Sequence, residues 1–296
     1  TFASAALAAM INPIVFAVPV FLLLMAGEYA LSRHRAQPVY RAADTVSSLS
    51  LGLISQLVGG FTKLMALGLY TLVYEHAALA QLPADSPLVW LGALLAYDFF
   101  YYWLHRMGHE VHLLWAAHGV HHSSEDYNLG TALRQTGTGF LFGWLFYLPM
   151  AVAGVPPLVF AVVGLVDLLY QFWVHTQLVG RLGWFDRVFV SPSNHRVHHG
   201  QNDYCIDRNY GGILIVWDRL FGTFVEERRD EPVVYGIRGA LRSWNPVWAN
   251  LQGYAAIAQG VAAAPRWADK LRLPFMPPGW VPQGGGQGQA KAGFDA

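Results

Sequence analysis

Ten of the twelve histidines in this chain fall into three groups along the sequence. Two of these groups contain the pattern HxxHH, of which chance would produce about 0.02 copies at this histidine frequency. Residues at i, i+3 and i+4 project from one side of a helix, so each HxxHH is expected to present three imidazoles together. The groups are His105, His109 and His112; His118, His121 and His122; and His175, His195, His198 and His199.

This pattern predicts a site for two metal ions. Crowded imidazoles without a metal would leave ring nitrogens unsatisfied, or repel one another when protonated. A zinc site takes three or four protein ligands, so eight or nine imidazoles suit two ions with several nitrogens each, and iron would add redox chemistry. The stretch HRMGH at 105–109 lacks the glutamate of the protease pattern HExxH. His34 and His76 stand alone, and we interpret them as structural residues.

The composition indicates a membrane protein. Of the 296 residues 54% are hydrophobic and 13% are charged, about half the charged fraction of an average soluble domain. The single cysteine, Cys205, excludes an intramolecular disulfide framework and a cysteine-rich metal site, and we interpret it as a packed small residue. A formal net charge of zero offers no basic field for nucleic acid.

Five apolar segments are expected to form the membrane-spanning helices that position the histidines. The first is followed by a basic cluster and has no basic segment before it, which favours a span over a signal peptide. The last two come from one long stretch with Pro149, Gly154, Pro156 and Pro157 near its middle, where we expect a turn. The segments are 11–31, 46–74, 88–104 and the two halves of 140–174.

The distribution of basic residues predicts that every histidine motif faces the cytoplasm. If residues 33–41 are cytoplasmic, the loop 76–87, which has no Lys or Arg, faces the other side. Only Lys63 among the 19 basic residues then lies outside the predicted cytoplasmic segments. The predicted fold class is an all-α integral membrane protein with about four to five transmembrane helices and a cytoplasmic, histidine-rich helical cap. In a bacterium it would lie in the inner membrane.

The motifs resemble the three histidine boxes of the fatty acid hydroxylase and sterol desaturase superfamily of membrane di-iron enzymes. The boxes are HRMGH at 105–109, HGVHH at 118–122 and HRVHH at 195–199. Intervening stretches, such as LLYQFWVHT at 168–176, resemble the branch that oxidises alkylglycerols. The resemblance covers about Ala96 to Tyr235. It implies a di-iron catalytic domain with transmembrane helices in 88–235. The apolar segments and the composition predict N-terminal transmembrane helices in 1–87 and a cytoplasmic segment in 236–296, disordered from about Gly284.

By position, the resemblance implies nine ligands for two iron ions. His112 has no counterpart in the boxes and is left out. Asp98, Glu110 and Asn209 are expected to lie behind the ligands, where a carboxylate can accept the free ring N–H of a histidine. For Asp98 and Glu110 a helix-end charge or a satisfied polar residue is an equal alternative. The nine ligands are His105, His109, His118, His121, His122, His175, His195, His198 and His199.

The resemblance also implies the reaction, which is hydroxylation of a lipid C–H bond with dioxygen and electrons from an external donor. In the alkylglycerol branch the donor is tetrahydrobiopterin, and hydroxylation beside the ether oxygen gives a hemiacetal that breaks into an aldehyde and a glycerol derivative. Alternatives within the superfamily are hydroxylation or desaturation of a fatty acyl chain, a sterol or an ornithine lipid. An alternative of another class is metal transport or storage, but transport ligands should line a path through the spans. The expected partners are a membrane lipid, dioxygen and an electron donor.

Overall fold

The computed structural model describes residues 13–282, which are helical or irregular apart from the isolated bridges Phe189 to Leu214 and Gly200 to Tyr235. The all-α expectation is confirmed for this range. The tail from Gly284 and the start of the first apolar segment lie outside the described residues. In order, the α-helices are α1 (Pro13–His34), α2 (Ala42–Ala77), α3 (Pro87–Glu110), α4 (His112–His122), α5 (Leu129–Ala132), α6 (Leu148–Val152), α7 (Pro157–Trp173), α8 (Pro192–His198), α9 (Val216–Phe221), α10 (Pro246–Ala263) and α11 (Trp267–Arg272).

Helix α2 is the longest element, with 36 residues. At 1.5 Å per residue it extends about 54 Å, more than the ~30 Å of a bilayer's hydrocarbon core. Within the described part of the chain, it is the one helix long and apolar enough to cross a membrane by length and composition. The apolar stretches Gly143–Val152 and Pro157–Trp173 are shorter.

Helices α2, α3, α6 and α7 pack around a shared apolar core. Tyr70 of α2 stacks on Phe160 of α7 with ring centroids 4.0 Å apart, and Tyr97 of α3 stacks on Tyr147 at 4.4 Å. Met150 of α6 is fully buried in the same core. This packing fixes the carboxyl ends of α3 and α7, and the first histidine motif and His175 lie at these two ends.

A turn before α7 confirms the predicted break in the stretch 140–174. Gly154 has φ +92°, and a Cβ there would lie 2.0 Å from the carbonyl oxygen of Ala80, so the position requires glycine. Pro157 begins α7, where its missing N–H costs no helical hydrogen bond. The first half of the stretch differs from the expected helix. It forms the 3₁₀ turns Gly139–Leu141 and Gly143–Tyr147 before α6, because its glycines weaken α-helix formation.

The remaining chain forms a cap over the ends of α3 and α4. Ser191 caps α8 with a reciprocal capping box with Asn194, which sets the start of the helix that carries the third motif. Helix α10 crosses α4 closely enough that a Cβ on Gly253 would lie 2.7 Å from Cα of Ala116. This part of the chain therefore combines helices with irregular segments.

Candidate metal centre

The structure brings all nine predicted ligands together. They form two groups, and within each group the potential ligand atoms lie within 4.8 Å of one another. The groups adjoin, since the ring of His122 stacks on that of His199 with centroids 4.3 Å apart. His112 is buried but belongs to neither group. The first group is His105, His109, His118, His122 and His198, and the second is His121, His175, His195 and His199.

Each HxxHH motif supplies both groups, and the expectation that it presents three imidazoles together is wrong. His118 and His122 enter the first group, whereas His121 between them enters the second. The other motif does the reverse and sends its i+3 member, His198, to the first group. At 100° per residue, i+4 lies about 40° to one side of i and i+3 about 60° to the other. Sequence neighbours therefore point about 100° apart, towards different groups.

Backbone carbonyls orient four of the nine rings through Nδ1. A carbonyl oxygen only accepts a hydrogen bond, so Nδ1 carries the proton and Nε2 keeps a free lone pair. Partners of this kind fix the ring plane and tautomer of metal-binding histidines. The Nδ1-to-oxygen distances are 2.7 Å from His105 to Tyr210, 3.0 Å from His198 to Arg208, 3.0 Å from His121 to Arg134 and 2.7 Å from His175 to Gln171.

The arrangement of the free nitrogens fits a bound cation. Nε2 of His121 and Nε2 of His175 lie 3.2 Å apart, and each has its proton on the opposite nitrogen. Two lone pairs at this distance need a positive charge between them. Burial lowers the pKa of His121 to about 4 and holds that of His175 well below its usual value, so a proton is disfavoured at neutral pH. In the first group, Nε2 of His109 and of His198 are buried without a hydrogen-bond partner.

The loop after α8 holds two of the orienting carbonyls, and Asn209 lies between them. Asn209 has φ +57° and is fully buried. Its side-chain amide donates to the carbonyl oxygens of Asn194 at 3.0 Å and Val225 at 2.8 Å, and its oxygen accepts from the N–H of Val225. These bonds fix the backbone on both sides of Asn209. The carbonyl of Arg208 on one side orients His198, and the carbonyl of Tyr210 on the other side orients His105. Asn209 therefore lies behind the first group and acts through the backbone.

Asp98 and Glu110 occupy other positions than the expected contact with a ligand ring. Asp98 accepts hydrogen bonds from the N–H groups of Ile213 and Leu214 and from the indole of Trp217. Its bonds tie α3 to the loop that follows Tyr210. Glu110 forms an ion pair with Arg106, one turn earlier on α3, at 2.8 Å. Both match the alternative of satisfied polar residues, and Asp98 also anchors the loop that orients His105.

Two further residues position the centre, and neither was predicted from the sequence. Arg134 is buried, and its carbonyl orients His121 while its guanidinium donates to the carbonyl of Val120 and the hydroxyl of Ser123. Asp218 is fully buried and accepts from the N–H groups of Tyr210 and Gly211 at 2.7 and 2.8 Å. The signal available in the sequence was a charged residue inside an otherwise apolar or uncharged stretch, which is TALRQ at 131–135 for Arg134 and GGILIVWD at 211–218 for Asp218.

We predict that Asp218→Ala weakens metal binding by the first group about 10–100-fold, because it releases the Tyr210 carbonyl that orients His105. Asp218→Asn should have a smaller effect, since one amide oxygen can still accept from the loop. Asp230→Ala, at an exposed position, is the matched control. Metal titration of the purified variants measures the effect, and equal affinities for the Ala variant and the control would contradict this role of Asp218.

Residues 90–223 of the chain match the family model described as fatty acid hydroxylase. All nine histidines of the two groups lie within the matched residues. The chain is also similar to curated alkylglycerol monooxygenases. It is 43% identical to the human protein over 90% of this chain and 59% of the relative, and 46% identical to that of Xenopus tropicalis over 84% and 55%.

A more distant relative is the ornithine lipid hydroxylase of Rhizobium tropici, which is 33% identical over 50% of this chain and 45% of the relative. The chain spans between about half and three fifths of the length of the alkylglycerol monooxygenases that it matches. No solved structure matches the chain significantly.

Proposed function

We propose that the chain is a dioxygen-dependent lipid monooxygenase whose two histidine groups each hold one iron ion. The observation that carries this proposal is the division of nine buried imidazoles into two adjacent groups, with free ring nitrogens directed at one another. The first group offers five nitrogens and the second four. This supply suits two ions, since a single zinc site takes three or four protein ligands.

The reaction that we propose is oxidation of an alkylglycerol beside its ether oxygen, with tetrahydrobiopterin or another external electron donor. The similarity to alkylglycerol monooxygenases supports this substrate class. Iron would supply the activation of dioxygen. The chain's own residues would hold the ions through neutral imidazoles, fix ring planes through the carbonyls of Arg134 and Tyr210, and exclude water by burial.

We also propose that the chain crosses the membrane several times, with the metal centre on the cytoplasmic face. Beside α2, helices α1, α3 and α7 and the 3₁₀ turns with α6 would form the other spans. Leu23 of α1, Phe61 of α2 and Leu88 of α3 support this assignment, because each is more than 70% exposed and would face lipid. The ligands lie at or beyond the ends of α3 and α7, which argues against a transport path through the spans.

The experiment that tests the function combines metal analysis with turnover. The detergent-purified chain, prepared anaerobically without chelators, should contain about two irons. With an alkylglycerol, dioxygen and tetrahydrobiopterin it should release an aldehyde. Metal without aldehyde under any of several electron donors would reject the alkylglycerol assignment and favour a different lipid, of which an ornithine lipid is the first to test because of the similarity to its hydroxylase. Absence of bound metal would contradict the central proposal.

We predict that metal removal destabilises the folded chain by about 3–4 kcal/mol, the linkage free energy of a ligand at several hundred times its dissociation constant. Without cations, the facing nitrogens of His121 and His175 lose their shared partner. Thermal unfolding before and after treatment with a membrane-permeant chelator measures the change. Added ferrous iron should restore the unfolding temperature, and an unfolding temperature that chelation leaves unchanged would contradict the prediction.

A further inference from the structure

Helix α10 has an apolar exposed side, which is not expected of a helix whose outer side faces water. None of its 18 residues is charged. Its buried side packs on α4, where Ala249 contacts the cluster of Leu51 and Val120, and Ile257 joins Ala116. The opposite side exposes Val247, Trp248 and Leu251 by 44–58%, followed by the exposed Ala258 and Ala262. A water-facing helix normally carries charged or polar residues on this side.

Helix α11 and the turn after it continue the apolar surface. Trp267, Leu271 and Phe275 recur at intervals of four residues and are 79%, 71% and 66% exposed. We name the exposed residues Val247, Trp248, Leu251, Trp267, Leu271 and Phe275 the α10–α11 face. Exposed apolar residues grouped in this way indicate an interaction surface rather than chance exposure.

The charges around the α10–α11 face are of one sign. Lys270 lies over the ring of Trp267 at 5.2 Å, and Arg272 is exposed one residue after Leu271. The one carboxylate of α10 and α11, on Asp269, is buried and paired with Arg266 at 2.7 Å. The face therefore combines tryptophan, leucine and cations without an exposed acid, which is the composition of helices that lie in the headgroup region of an anionic membrane.

We propose that the α10–α11 face lies in the plane of the membrane interface and contacts anionic lipid headgroups and the upper acyl chains. This inference rests on the proposed membrane attachment and goes beyond the proposed activity. Helix α10 meets α2 at Leu51, and exposed leucines of α2 begin two residues later at Leu53. The face thus adjoins the proposed cytoplasmic end of α2. Residues 246–275 then form a membrane-bound part of the chain instead of the expected cytoplasmic segment.

The position of α10 has a consequence for the metal centre. Packed helix axes lie about 8–10 Å apart. Helix α4, which carries His118, His121 and His122, would therefore lie one helix layer from the lipid contacted by α10. The ions would be close to the depth of lipid headgroups, so that a lipid could reach them without leaving the bilayer.

Site-directed spin labelling tests this inference. The one native cysteine, Cys205, is 1% exposed, so a label at an introduced cysteine reports on that position. Labels at Leu251→Cys and Leu271→Cys are measured in nanodiscs that contain phosphatidylserine. Phe61→Cys on α2 is the control for lipid exposure, and Asp230→Cys is the control for water exposure. Frequent collisions of the label with dissolved oxygen indicate that it lies in lipid, and frequent collisions with a water-soluble nickel chelate indicate that it lies in water.

We expect labels at 251 and 271 to collide more with oxygen than with nickel, as at position 61, and to lie about 5–10 Å below the headgroups. Nickel accessibility at 251 and 271 with lipid exposure at 61 would overturn the interfacial placement alone. Nickel accessibility at 61 as well would overturn the proposed membrane attachment. Shielding of 251 and 271 from both reagents would indicate that a second copy covers the face, and would also overturn the inference.

Lys270 and Arg272, the cations beside the α10–α11 face, allow a second measurement. The label at 271 should lie deeper in nanodiscs with phosphatidylserine than in those with phosphatidylcholine alone, because Lys270 and Arg272 attract anionic headgroups. Replacing both cations by glutamine should remove this difference between the two lipids. A depth that depends neither on the lipid nor on the two cations would overturn the assignment of anionic headgroups as the partner.

Discussion

The His121→Ala variant should lose about half of its bound iron, and its turnover should fall at least about 100-fold. Removing the hydrogen-bond partner of a metal ligand typically costs about 10–100-fold in metal affinity or activity, and removing the ligand itself should cost more. His121 belongs to the second group, in which three imidazoles would remain. His198→Ala should retain more metal, since four imidazoles remain in the first group. Iron analysis and aldehyde release, measured on the same preparations, separate the two effects.

His112→Ala is the matched control for these two variants. His112 begins α4, the helix that also carries His121, and it is buried outside both groups. Its removal should leave both bound iron and turnover close to those of the unchanged chain. Equal metal loss in the His112 and His121 variants would show that buried histidines of α4 support the fold rather than the ions, and would contradict the assignment of the second group.

Arg134→Met should destabilise the folded chain by about 3–5 kcal/mol, the usual cost of removing one partner of a buried ion pair. Arg134 is 1% exposed, and its guanidinium lies 3.8 Å from the buried carboxylate of Asp44. It also donates to the carbonyl of Val120 and to Ser123. Methionine fills a similar volume but leaves the buried carboxylate of Asp44 without its cation. Denaturant unfolding in detergent micelles measures the loss.

A comparison with Arg41→Gln tests whether burial causes this effect. Arg41 is about half exposed and pairs with Asp126 at 2.7 Å and Glu125 at 3.2 Å. Exposed pairs of this kind contribute under about 1 kcal/mol. The Arg134 variant should additionally lose metal from the second group, because the guanidinium bonds to Val120 and Ser123 hold in place the backbone carbonyl that orients His121. A loss of stability no greater than that of the Arg41 variant would contradict the role of Arg134.

The sequence was sufficient to predict which histidines meet, because the resemblance to the three histidine boxes, carried over by position, implies the nine residues that the structure brings together. It did not predict how His121 and His122 separate, because that division depends on which side of α4 each ion occupies. The orienting carbonyls could not be predicted either, since any residue type supplies one. The hydrogen-bond partners of Asp98 could not be predicted from the sequence either. Its charge was noticed, but its partners are backbone N–H groups of a loop whose course sequence periodicity does not describe.

The exchange of i+3 histidines between the groups would make two bound ions mutually dependent. An ion held by the first group would contact α4 through His118 and α8 through His198, and so would set the rotation of both helices. The same rotations place His121 and His195 for the second ion. Binding of one ion would therefore leave less conformational entropy to be lost when the other binds, which is a source of positive cooperativity. In the unchanged chain the second ion should bind more tightly than the first, while a variant with one damaged group can still hold the other ion at saturating iron.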